Sequence, residues 1–81
     1  MNKAEILSVI ETNLNQILEG KGVARTVLTE DMMLLDGTLS IDSLDLAQIV
    51  LELQSVTGRD PFEVGFIEFH TVGELASLFS V

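Results

Sequence analysis

Ser43 stands in the run Ser40-Ile41-Asp42-Ser43-Leu44-Asp45. Asp42 is a good helix N-cap, and Asp45 falls at the third helical position, where a carboxylate favours the helix dipole. Ser43 is thereby placed in the first turn of a helix, where backbone N–H groups are unpaired and a phosphate is favoured. A serine hydroxyl at such a spot is exposed and well placed to bear a phosphodiester. The same neighbourhood suits a serine that only starts a helix, because small polar residues are common there. Local physics alone favours this plainer reading.

No other residue offers a comparable site. His70 is the single histidine and there are no cysteines, so a typical zinc site and a protein thiol nucleophile are excluded. No Gly-x-Ser-x-Gly turn surrounds Ser43, and no orienting acid or oxyanion hole accompanies a Ser–His pair. His70 precedes the helix-starting Thr71 and reads as a half-exposed packing residue. A calcium loop counted from Asp31 puts Met33 and Leu35 at ligand positions, and one counted from Asp36 puts Ile41 where glycine is required. Met32 and Met33 read as core fillers. There is no phosphate-cradling glycine loop. The expectation is a protein that is not an enzyme and holds no metal.

Three helices and one shorter one should position Ser43. The first opens on Asn2 with Glu5 three residues on, a capping-box spacing. Ile6, Leu7, Ile10, Leu14, Ile17 and Leu18 then form one apolar stripe, and Gly20 is the natural left-handed cap. A connection from Gly20 to Ile41 follows, long enough to be unusual unless functional. Its Val23, Val27 and Leu28, and then Met32 to Leu35, should pin it across the helices, with a short turn near Thr29-Glu30-Asp31 and another at Asp36-Gly37. The second helix, opened by Asp42, runs without Gly or Pro to Gly58. Leu44, Ala47 and Leu51, with Ile49, Val50 and Leu53 on a broader face, make it apolar over more than half its girth, as expected of a central helix. Asp60-Pro61-Phe62-Glu63 signals a short third helix. The last opens on Thr71 with Glu74 completing a capping box, and buries Val72, Leu75, Ala76 and Phe79. No stretch alternates long enough to be a strand. The fold class is an all-α bundle of three main helices and one short one, with residues 1–81 as one domain.

With the elements in this order, Asp42-Ser43-Leu44 resembles the Asp-Ser-Leu attachment site of acyl carrier proteins. The likeness spans nearly the whole chain: an amphipathic first helix, a long loop, the motif opening a long apolar helix, a short irregular helix, and Thr71-Val72 opening a last helix that ends in Leu78-Phe79. In that family the serine takes 4'-phosphopantetheine from coenzyme A. The resemblance implies that Ser43 is the modified residue, that Asp42 caps the helix and presents Ser43 to the transferase, and that Leu44 packs beside the arm. It also implies that Asp45, and Glu52 further along, belong to the recognition face. The implied partners are a phosphopantetheinyl transferase, a ligase or transferase that loads acyl or aminoacyl cargo, and downstream synthases. A carrier needs a thiol to hold a thioester, and here the arm would supply it, which accords with a chain without cysteine. Ser40 stands where the family often has glycine. Gln48, Gln54 and Ser55 stand where its fatty-acid carriers often have acids, and the segment from Phe62 to Phe69 is unusually rich in Phe. These departures point to a free-standing bacterial carrier serving a specialised lipid, polyketide or aminoacyl pathway.

Composition sets the outer bounds. The chain is 47% hydrophobic, with one proline and four aromatic residues, all Phe. That suits one small core filled by Leu, Ile and Val. Thirteen acids against four bases give a net charge of −9. Nucleic acid and anionic membrane faces would repel it, whereas partners with basic patches would be steered to it. No apolar run is long enough for a membrane-spanning helix, and the N-terminal residues lack the pattern of a signal peptide. A monomeric cytoplasmic protein is expected. A small acidic helical adaptor that binds a basic protein without a prosthetic group also explains the bundle and the charge, but makes the placement of Asp42-Ser43-Leu44 a coincidence.

Overall fold

Side-chain caps start each of the three helices in the computed structural model, which describes residues 1–81 except Thr38, Val64, Phe66 and Val81. Helix α1 spans Lys3–Gly20, α2 spans Ser43–Thr57 and α3 spans Val72–Phe79. Each opens on a complete capping box: Asn2 with Glu5, Asp42 with Asp45, Thr71 with Glu74. In each, the cap side chain and the third-position carboxylate satisfy two backbone donors reciprocally. Among the described residues there is no strand, only an isolated antiparallel bridge between Met33 and Thr71.

The C-terminus of α1 departs from expectation. Gly20 is the last helical residue rather than a left-handed cap. The positive φ, 75°, belongs to Gly22. The Gly22 N–H donates to Glu19 O and the Val23 N–H to Leu18 O, which together make a Schellman motif two residues later than the first glycine. Helix α2 ends as expected on Gly58, with φ 69°.

The core joins Ile6, Ile10, Leu14 and Leu18 of α1 to Leu46, Ile49 and Leu53 of α2 and to Val72, Leu75, Ala76 and Phe79 of α3. Helix α1 packs extensively on both others, which meet one another less. Helix α2, expected to be central, is therefore not the central one. Its buried residues are Leu46, Ile49 and Leu53, while Leu44 is 76% and Leu51 63% exposed. Apolar residues cover more than half the girth of α2, so composition alone did not mark which side turns inward.

The long connection is held by other residues than its early valines. Val27 is 78% exposed. In its place Asn15, buried on α1, accepts from the Thr26 N–H (2.8 Å) and donates to Thr26 O (3.0 Å), and Glu11 accepts from the Leu28 N–H (3.0 Å). Further on, Leu34 and Leu39 enter the core. Met32 packs against the core, whereas Met33 is exposed. The expected turn is present at Glu30-Asp31, closed by Met32 N–H to Thr29 O (3.2 Å).

Residues 30–34 then clasp the start of α3. Gly73 N–H donates to Glu30 O, Val72 N–H to Met32 O, and Leu34 N–H to His70 O, all at 2.9–3.0 Å. The short helix expected from Asp60 lies partly on Val64 and Phe66, outside the described residues. Its described beginning is a turn. Asp60 accepts from the Phe62 N–H (3.0 Å), and Glu63 N–H reaches Asp60 O (3.3 Å). An aspartate side chain that closes a turn on its own backbone competes with helix propagation.

Candidate functional site around Ser43

Ser43 is the first residue of α2 and is exposed. Two aspartates fix the backbone on either side of it. The Asp42 carboxylate accepts from the Asp45 N–H (2.9 Å), and Asp45 Oδ2 accepts from the Asp42 N–H (3.2 Å). The Leu46 N–H is taken by Asp42 O (3.0 Å). Neither the N–H groups of Ser43 and Leu44 nor the Ser43 hydroxyl has a hydrogen-bond partner among the described residues. They are left at the positive end of the helix, where an oxyanion is stabilised. These features fit a phosphodiester on Ser43 Oγ: the oxygen is accessible, and the first turn offers it free donors.

The Asp45 carboxylate is further held by Lys21, the residue that caps the far end of α1, whose ammonium also donates to Ser40 O (3.1 Å). The hydrogen bond from Lys21, followed by that from the Asp42 backbone, keeps the Asp45 carboxyl below the usual carboxylate range. Nothing in the spacing of Lys21 singles it out, because the contact joins residues 24 positions apart.

An open apolar groove of about 410 Å³ starts at Ser43 and runs along Leu46, Ala47 and Val50 to Phe62 and Phe69. The rings of Phe62 and Phe69 lie 5.8 Å apart, tilted by 37°, and Phe62 meets Phe79 edge-on at 6.4 Å. The Phe-rich segment thus supplies one wall of the groove beside the serine, while Phe79 anchors that wall to the core.

The chain matches no family model, no curated protein and no solved structure. Leu44 projects beside Ser43 into solvent, on the same edge of α2 as Ala47 and Leu51. Glu52 is exposed seven residues after Asp45, about two helical turns, so both face the same side. Asp42, Ser43, Leu44 and Asp45 form one cluster, and Glu52 lies farther along the helix.

His70 is exposed and bonds Glu68 through Nε2 (2.9 Å), so it is a surface residue whose backbone carbonyl serves the clasp to Leu34. Among the described residues no three His, Asp or Glu side chains gather as a metal site, and no helix is long and apolar enough to cross a membrane. Glu74 accepts from the backbone N–H groups of His70 and Thr71, which lowers its pKa.

Proposed function

We propose that the protein is an acyl carrier, with Ser43 as the attachment point of a 4'-phosphopantetheine arm. The observation that carries this reading is the Ser43 hydroxyl itself: exposed, at the first position of a helix, braced on both sides by a reciprocal Asp42–Asp45 box. In the transfer from coenzyme A, Ser43 Oγ forms the new bond to phosphorus, the pyrophosphate bond of coenzyme A breaks, and adenosine 3',5'-bisphosphate leaves. The hydroxyl proton leaves to a base of the transferase. When bound, the arm supplies a mobile thiol that holds acyl cargo as a thioester. The chain's own contribution is positioning. Asp42 sets the start of the helix and hence the direction of Ser43. The free N–H groups of Ser43 and Leu44 favour the phosphate charge. The groove toward Phe62 and Phe69 offers apolar cover to whatever is tethered at its mouth. The proposed partners are a phosphopantetheinyl transferase, an acyl- or aminoacyl-loading enzyme and downstream synthases. They meet the exposed carboxylates of Asp42 and Glu52, and Asp45 beside them, with basic residues.

Co-expression with a broad-specificity phosphopantetheinyl transferase tests the reading. Intact mass should show one arm per chain. A chain that stays unmodified would favour the adaptor reading, in which the exposed Leu44–Ala47–Leu51 edge binds a protein directly and Ser43 is only a helix-start residue.

A further inference from the structure

Lys21 sits where sequence spacing gives it no role, yet it bridges the turn that carries Ser43. Its ammonium donates to the backbone carbonyl of Ser40, three residues before the serine, and pairs with Asp45, two residues after it. Asp45 is the more enclosed partner, its side chain 16% exposed against 36% for Lys21. Its Oδ2 atom is thus committed twice, to Lys21 and to the Asp42 N–H. Asp42 and Glu52 are exposed, and neither has an ion pair among the described residues. The acids around Ser43 are therefore not equivalent. Two present open charge, and one is neutralised by a lysine from the same chain.

Building on the carrier reading, we propose that Lys21 is an internal competitor for Asp45 that sets how strongly a basic partner is read by charge at the modification site. A transferase that approaches Ser43 with Lys or Arg meets Asp42 and Glu52 directly, but engages Asp45 only by displacing the Lys21 ammonium. An exposed ion pair is weak, so the displacement is easily made and its effect is modest. Because rim charges act chiefly on encounter, the effect belongs in the association step and should be screened by salt. Lys21 is thus a specificity-determining residue for partner docking, acting through Asp45 and not on the reacting atoms.

Its contact with Ser40 O suggests a rival, purely structural role, in which Lys21 steadies the loop ahead of the serine. A double-mutant cycle separates the two. Arm transfer is measured as kcat/KM with coenzyme A and a broad-specificity phosphopantetheinyl transferase, at low and at high sodium chloride, for the wild type, Lys21→Met, Asp45→Asn and the double variant. Competition predicts that Lys21→Met raises kcat/KM about two- to fivefold at low salt, the scale of one exposed pair. The gain should vanish at high salt and in the Asp45→Asn background. No gain, or an equal change in both backgrounds, overturns the proposal in favour of the loop role. A second readout needs no modification: by carboxyl NMR, the titration midpoint of Asp45 should rise in Lys21→Met, and an unmoved midpoint also overturns it. A wild type that takes no arm while the Asp45 midpoint still rises would defeat the carrier reading, and would leave the masking of Asp45 standing for a basic partner of another kind.

Discussion

Asp42 serves two ends with one carboxylate. It completes the cap that starts α2 and so determines where Ser43 points. Replacing an N-cap aspartate by alanine costs about 1 kcal/mol. In a domain of this size that lowers the melting temperature by about 4–8 °C. Asp42→Ala should show this loss at physiological salt, where the relief of charge repulsion is partly screened, together with slower arm transfer. A variant that melts as the wild type does would mean that tertiary packing alone fixes the helix start. Asn15 makes a second residue-scale prediction. Its amide is 3% exposed and satisfies both backbone groups of Thr26. Asn15→Leu strands a donor and an acceptor, at a cost of about 1–3 kcal/mol, measurable by urea denaturation. No change there would mean that water readily replaces the amide. Asn15 carried no signal in the sequence because it occupies a polar slot beside the apolar stripe of α1, and only the return of the loop buries it.

The beginnings of elements were the most legible part of the chain, because a capping box is local. Asn2/Glu5, Asp42/Asp45 and Thr71/Glu74 each name a helix start from four consecutive residues, and each box is present. What depended on distant contacts was less legible. Leu46 is a core residue of α2, whereas Leu44 and Leu51 are not, since the inward side is chosen by α1 and α3 and not by the composition of α2. The Lys21–Asp45 tie and the clasp between residues 30–34 and 70–73 are likewise invisible until the chain folds back. The clasp itself can be tested. A Cβ on Gly73 would stand 2.9 Å from both Glu30 O and Glu30 Cβ, closer than the atoms tolerate. Overpacking of this kind costs about 1–3 kcal/mol, so Gly73→Ala should lower the denaturation midpoint and raise amide exchange in residues 30–34. Unchanged exchange would show that the loop is held by Leu34 and Leu39 alone.

Over the whole molecule, charge opposes compactness. Of the four bases, Lys3 pairs with Glu30 (2.6 Å) and Lys21 with Asp45, so among the described residues ion pairs with lysine neutralise only a few of the thirteen acids. Added salt screens their repulsion over about 8 Å at 0.15 M. The melting temperature of the unmodified protein should therefore rise as sodium chloride goes from near zero to physiological levels, and a flat curve would mean that the acids are too dispersed to matter. Acid works through Asp45 and Glu74. Both have lowered pKa values in the folded state, set first by Lys21 and by the His70 backbone N–H respectively. Their contribution is complete above the unfolded carboxylate pKa, near 4, and is lost as the pH falls through the lower folded values. Stability should decline as the pH falls below about 4, which thermal melts across that range would show.

The carrier reading turns on one oxygen atom, Ser43 Oγ. Purified wild type and Ser43→Ala are incubated with coenzyme A, magnesium and a broad-specificity phosphopantetheinyl transferase, and each is analysed by intact mass and by fragment mapping. Ser43 is exposed and its side chain supports no core contact, so the alanine variant should keep its fold and its circular dichroism. The expected result is a single arm on the wild type, mapped to Ser43, and none on Ser43→Ala. An arm on the alanine variant, an arm mapped to another serine, or a wild type that is folded yet unmodified would contradict it.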